Sequence, residues 1–220
     1  MNAVVFDFDG VLADSEPLHL RTYQDVLAPL GITLTRDDYY ANLLGYDDVG
    51  VFRTVGEASG LEMDARRIAA LIEQKARVFD EVVATTDVLY PGAAACVERL
   101  AAAYPLGIAS GALKGEIVAI LRRAGLDRHF KFIVSAGDTP RSKPAPDPYL
   151  RAAALHGLPP AACVAIEDSR WGIASAKAAG LRCVGITSTY AAPELAGADG
   201  ILDTLDEFTG EYIAKLVSGR

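Results

Sequence analysis

A chain of 220 residues, 51% apolar and 23% charged, is long enough for one sizeable α/β domain or a core with a smaller insert, and is not a disordered chain. Its net charge of −8, with basic residues densest only at Arg66-Arg67 and Arg122-Arg123, argues against a nucleic-acid or anionic-membrane surface, while leaving room for a small anionic substrate. Its three cysteines, Cys96, Cys163 and Cys183, lack metal-binding spacing and read as core residues, no apolar run is long enough to cross a membrane, and no leader pattern precedes Asp7, so a reducing cytoplasmic setting is expected.

The first predicted element is a short buried strand, Ala3-Val4-Val5-Phe6, closed by Gly10. Charge enters only at its C-terminal end, as Asp7 and Asp9. Strand period two puts both acids on one side, and two like charges about 4 Å apart repel by about 4 kcal/mol at an effective dielectric near 20. Such a pair calls for a proton, a cation or solvent, and a divalent metal is the simplest answer. Alone, the tetrapeptide Asp7-Phe8-Asp9-Gly10 equally fits a strand ending in a turn.

Helical signals follow. Ser15 is placed to cap a helix with Pro17 inside it and an apolar stripe from Leu18 to Leu30, ended by Gly31. Thr35 caps a second through Leu44, stopped by Gly45; a third runs from Asp48 to Ser59; a fourth starts after Asp64 and carries Ile68, Leu71, Ile72, Phe79, Val82 and Val83. From Tyr90-Pro91-Gly92 the pattern changes to alternating helices and strands. Strands are predicted at Leu106–Ala109, Phe132–Val134, Cys163–Ile166, Cys183–Ile186 and near Ile201, with a last helix from about Asp206. Repeated βα units imply an α/β fold, a doubly wound parallel sheet covered by helices on both faces. The first strand has no other partner, so it joins this sheet. The predicted domains are a core of 1–14 plus 87–220 and a small helical bundle, 15–86, inserted after the first strand.

In open α/β sheets the working crevice lies beyond the carboxyl ends of the strands. The first strand delivers Asp7 and Asp9 there, the second Ser110-Gly111, the third Ser142-Lys143-Pro144 and the fourth Glu167-Asp168-Ser169. Each has a bland reading as turn, solvated cation or cap. Together they match phosphoryl transfer, which needs an attacking carboxylate, a shielding cation, donors to the peripheral oxygens and an acid for the leaving alcohol.

Asp7-Phe8-Asp9-Gly10, Ile108-Ala109-Ser110-Gly111, Ser142-Lys143-Pro144-Ala145-Pro146-Asp147 and Glu167-Asp168-Ser169 resemble, in order, the four motifs of the haloacid dehalogenase superfamily of phosphohydrolases. The likeness extends over essentially the whole chain and is strongest to the β-phosphoglucomutase and phosphoglycolate phosphatase branch, with its Rossmann-like core and inserted helical cap. It implies Asp7 as nucleophile forming a phosphoaspartate and Asp9 as general acid/base. It also implies Mg²⁺ held by Asp7, the Asp9 main-chain carbonyl and Asp168, with Glu167 in or near the coordination sphere. Ser110, Gly111 and Lys143 would grip the phosphoryl group. Asp9 speaks against dehalogenation, because the resembling dehalogenases lack this second acid.

Counted from the first motif, His19 and Lys75 fall where the mutase has a histidine and a cap lysine facing substrate, and they are equally readable as a packing histidine and a surface lysine. Asp48 falls where the mutase has the arginine that grips a second phosphate, with Arg53 nearby as a substitute. The resemblance therefore implies an Mg²⁺-dependent phosphatase of a small phosphorylated metabolite, a sugar phosphate or related monoester. A sugar phosphomutase is the alternative. A receiver-like phosphoacceptor domain is a weaker rival, since receivers carry the acceptor Asp on the third strand in a shorter chain. No nucleic-acid or membrane partner is implied, and a monomer is expected.

Overall fold

The computed structural model describes residues 2–43 and 46–218. These divide into two compact units, Ser15–Asp87 and the segments flanking it on either side. Leu44 and Gly45, the expected end of the second helix, lie outside the described residues.

The flanking segments build a parallel sheet of six strands: β1 (Ala3–Phe6), β2 (Leu106–Ala109), β3 (Phe130–Val134), β4 (Cys163–Glu167), β5 (Arg182–Ile186) and β6 (Gly200–Leu202). They lie in the order β3-β2-β1-β4-β5-β6. Every residue of β1, β2 and β4 is buried, which explains why these strands read as unbroken apolar runs rather than alternating ones. Ala3, Val5, Ala165 and Cys183 pack with Tyr149, Ala152, Ile173 and Ala176 in one core cluster. The helices of this unit are α5 (Ala93–Ala101), α6 (Lys114–Arg123), α7 (Asp147–His156), α8 (Arg170–Ala178) and α9 (Gly210–Ser218). All three cysteines are free and buried.

Register decides what meets at the strand ends. Phe6 stands level with Ile108 on one side and Ile166 on the other. One residue further along, Asp7 is therefore beside Glu167, and its N–H donates to the Ile166 carbonyl at 3.0 Å. The strand order reverses between β1 and β4, the switch point where open sheets of this class bind ligands.

Three expectations are corrected. β1 ends at Phe6, and Val11, Leu12 and Ala13 turn their N–H groups onto the Phe8 carbonyl, so Asp9 sits in a turn and not on a continued strand. β3 starts at Phe130, two residues before its predicted start at Phe132, because a 3₁₀ turn over Asp127–His129 delivers the chain straight into the sheet. The last helix starts at Gly210 rather than Asp206. There, a capping box between Thr204 and Glu207 closes a separate 3₁₀ turn first.

Within the helical unit lie α1 (Glu16–Leu27), α2 (Arg36–Asn42), α3 (Asp48–Ala58) and α4 (Ala65–Val83). Thr35, Asp47 and Asp64 each accept a main-chain N–H in the first turn of their helices, whereas Ser15 precedes α1 without a side-chain cap bond. Tyr23, Val26, Leu27, Phe52, Val55, Ile68 and Leu71 fill its core. Among the described residues, no helix is long and apolar enough to cross a membrane.

His156, at the C-terminal end of α7, packs edge-on against Phe132 with ring centroids 4.6 Å apart. Burial, with Lys131 nearby, lowers its pKa from 6.5 to about 4. The folded state therefore binds fewer protons than the unfolded chain in this range, so the associated stability is present above pH 6.5 and drains away toward pH 4. Urea unfolding across that window should show wild type losing more stability than His156→Gln; parallel losses would contradict the assignment.

Candidate active site

The centre forms where β1 and β4 end. Asp7, Glu167 and Asp168 are all buried, and one carboxylate oxygen from each lies within 4.8 Å of the others. Lys143, from the loop between β3 and α7, joins them: its Nζ is 2.9 Å from Asp7 Oδ1 and 2.6 Å from Glu167 Oε1. Phe8 N–H donates to Asp7 Oδ1 at 2.7 Å. Glu167 has no exposure and also accepts the Tyr149 hydroxyl at 2.6 Å.

Charge and burial compete here. Burial, then the Asp7 charge, pushes the Glu167 pKa upward, and the same two causes raise that of Asp168. For Lys143 burial works against the ammonium, yet Asp7 and Glu167 together outweigh it and the pKa rises. Three acids share one cation. The donors are all hard oxygens, and their negative charge exceeds what Lys143 supplies, so the set fits a hard divalent cation such as Mg²⁺. The Asp9 carboxylate is not among the three. What the family resemblance implies for Asp9 as a ligand is its main-chain oxygen.

Two glycines make room for the acids. A Cβ on Gly10 would stand 1.9 Å from Asp168 Oδ2, and Gly10 also has φ +75, a conformation side chains oppose. A Cβ on Gly172, in the first turn of α8, would fall 1.9–2.0 Å from the Glu167 carboxylate. Ser188 donates its hydroxyl to the Gly10 carbonyl, and Thr189 hydrogen-bonds Asp168, so the loop after β5 closes on the first motif.

Beside the acids is a cleft of about 120 Å³, lined by Ser110, Gly111, Ser135, Thr139, Ser142 and Lys143. The Ser110 hydroxyl accepts the Ala112 N–H at 3.1 Å, and Asp138 accepts both the N–H and the hydroxyl of Ser135 at 2.9 Å, tying down the loop that leads to Lys143. A hydroxyl-lined hollow ending in an ammonium suits the oxygens of a phosphoryl group.

His19 and Lys75 meet in the helical unit. Lys75 is 3% exposed, which removes the reading as a surface lysine. Its Nζ lies 2.6 Å from Asp48 Oδ1, 3.1 Å from His19 Nδ1 and 4.6 Å above the Tyr23 ring. Tyr23 donates to the same Asp48 oxygen at 2.5 Å. Burial, then Lys75, lowers the His19 pKa to about 4, so its imidazole is neutral at pH 7. Arg53 is exposed on α3.

The structure thus brings Asp7, Lys143, Glu167 and Asp168 into one cluster, puts Ser110 and Gly111 in the adjoining cleft, and pairs His19 with Lys75 elsewhere in the chain. Sequence reasoning missed Tyr149, Gly172 and Thr189 as site residues. Thr189 was within reach, because asking what β5 delivers at its end, as for the other strands, leads to Thr187-Ser188-Thr189.

A profile of haloacid dehalogenase-like hydrolases matches residues 1–180. The chain belongs to the haloacid dehalogenase-like hydrolase family. Its relatives in the family include Protein CbbY of Rhodobacter capsulatus, 35% identical over 206 residues that cover 86% of this chain and 87% of that protein. Hexitol phosphatase B of Escherichia coli strain K12 is 34% identical over 221 residues, 95% of each chain. Among solved structures, CbbY from Rhodobacter sphaeroides in complex with phosphate superposes with a TM-score of 0.79 at 29% identity, covering 94% of this chain and 96% of that one. The span matched by the haloacid dehalogenase-like profile contains all four strand-end motifs and the whole helical unit.

Gly10→Ala should destabilise the protein by about 1–2 kcal/mol from the left-handed backbone alone, with further loss because Asp168 must move. Urea denaturation checks this, and an unchanged midpoint would refute the cradle.

Proposed function

We propose that this hydrolase is an Mg²⁺-dependent phosphatase of a small phosphorylated metabolite, a sugar phosphate or related monoester, acting through a phosphoaspartate on Asp7. The observation that carries the reading is the single ammonium of Lys143 shared between Asp7 and Glu167, with Asp168 completing a buried acid cluster at the switch point of the sheet. The names and contents of the relatives support it: a hexitol phosphatase and a CbbY holding phosphate.

In this reading an Asp7 carboxylate oxygen attacks phosphorus, the bond from phosphorus to the alcohol oxygen breaks, and Asp9 gives that oxygen a proton. Asp9 then takes a proton from water as the water oxygen attacks phosphorus, the bond to Asp7 breaks, and inorganic phosphate leaves with Asp7 restored. Lys143, Ser110 and the Gly111 N–H hold the peripheral oxygens throughout. Mg²⁺, held by Asp7, Asp168, the Asp9 carbonyl and Glu167, would supply charge that lets an anionic carboxylate approach a phosphate dianion.

Recognition of the leaving alcohol we assign to His19 and Lys75, and the helical unit, 15–86, to the role of cap. Asp48 bears on which substrate is taken. It holds Lys75 at 2.6 Å, so this cluster offers a neutral imidazole and a compensated ammonium, a setting for sugar hydroxyls rather than a second phosphate dianion. That weighs toward a phosphatase and away from a bisphosphate-dependent mutase. A monomeric cytoplasmic enzyme without nucleic-acid or membrane partners completes the proposal.

Asp7→Asn should remove p-nitrophenyl phosphate hydrolysis by at least about a thousandfold while leaving the thermal midpoint near wild type, and chelation of Mg²⁺ should do the same reversibly. Full activity in either case would contradict the mechanism. On a panel of sugar phosphates kcat/KM should be higher for monophosphates than for the matching bisphosphates, with no interconversion of isomers by phosphorus NMR; the mutase predicts the opposite.

A further inference from the structure

Tyr149 lies fully buried on α7, six residues after Lys143. Its hydroxyl donates to Glu167 Oε1 at 2.6 Å. The same oxygen takes Lys143 Nζ at 2.6 Å, and that ammonium stands 5.2 Å from the centre of the Tyr149 ring. On the other side of the carboxylate, Oε2 has the Ser169 hydroxyl at 3.4 Å and lies where a Cβ on Gly172 would fall.

A carboxylate has about four acceptor directions, and one with no exposure fills them from protein groups and any bound cation rather than from bulk water. For Glu167 those groups are few and fixed. The Tyr149 hydroxyl sets the rotation of the carboxylate from one side and the bare main chain of Gly172 permits it from the other. Oε1 is then a fixed anchor for Lys143, whose ammonium bridges 2.6 Å to that anchor and 2.9 Å to Asp7. Any swing of Oε1 displaces the bridge.

The geometry points to Tyr149 as a positioning residue: its hydroxyl fixes the Glu167 carboxylate and, through it, places the Lys143 ammonium against Asp7. The inference rests on the phosphatase reading of this site and adds to it a residue outside the four motifs. Without the hydroxyl, a buried lone pair loses its donor, and Lys143 is the mobile cation able to answer it, moving onto Glu167 and away from Asp7. A phenylalanine at 149 keeps the ring beneath the ammonium and the packing of α7, so the substitution removes the hydroxyl alone.

A double-mutant cycle tests this, with Tyr149→Phe, Glu167→Gln and the pair compared with wild type. The readouts are kcat and KM for p-nitrophenyl phosphate with Mg²⁺, and the Kd for inorganic phosphate by calorimetry, which needs no turnover. Tyr149→Phe should lower kcat by about tenfold or more and raise KM by no more than several-fold, because misplacing a group that meets the transition state costs more in rate than in ground-state binding. It should weaken phosphate several-fold, and the double variant should be no worse than Glu167→Gln. Gly172→Ala, which crowds the same carboxylate from its other side, should lower kcat with Tyr149 intact. A Tyr149→Phe kcat within twofold of wild type, or effects that multiply in the double variant, would overturn the inference. A wild-type protein without turnover would sink the phosphatase reading instead, and the phosphate arm of the cycle would still decide the role of Tyr149.

Discussion

Three carboxylates with one ammonium among them, buried at the end of two neighbouring strands, are the constraint around which this molecule is arranged. Left to themselves such charges would not fold into a desolvated pocket, since the cost of taking each ion out of water is several kcal/mol. They persist because the sheet register forces Asp7 beside Glu167, and because Lys143 closes two ion pairs at once. What remains is an excess of negative charge in a small oxygen-lined space. That excess fits a divalent cation, which in the proposed mechanism would shield the phosphate dianion from the attacking carboxylate.

The surroundings are shaped to the acids rather than the reverse. Gly10 and Gly172 leave out the side-chain atoms that would collide with Asp168 and Glu167, and Tyr149 and Thr189 supply donors to the same two groups. The loop carrying Lys143 is braced upstream by the Ser135 and Asp138 pair. A site whose charged atoms are each held by a second residue loses little free energy to reorganisation when charge moves during reaction. The cluster of His19, Lys75, Asp48 and Tyr23 in the helical unit follows the same rule on a smaller scale, with one acid compensating one amine.

Much of this was legible from residue order. Apolar runs buried on both faces betray a parallel sheet directly, so β1, β2 and β4 were found within a residue of their ends, and the acids, hydroxyl and lysine at those ends marked the site. Asp9 was misjudged because strand period two was carried past Phe6, where main-chain bonds to the Phe8 carbonyl bend the chain into a turn. The segment after β6 was misjudged because a capping box looks the same in sequence whether it opens a 3₁₀ turn or a full helix. Tyr149 and Gly172 escaped notice for another reason: an aromatic and a glycine in helices are ordinary, and only the approach of Glu167 in space gives them a role. Lys75 shows the converse, a lysine that its pattern left undecided and that burial against Asp48 defines.

The central claim is that a carboxylate oxygen of Asp7 becomes bonded to phosphorus. A crystal structure of the protein grown with Mg²⁺ and beryllofluoride, a mimic of an acyl-bound phosphoryl group, addresses it directly. The account requires the beryllium on an Asp7 oxygen, with Lys143 and Ser110 on its fluorines and the metal against Asp168. Beryllofluoride bonded to another side chain, or a metal seated away from Asp7 and Asp168, would contradict it.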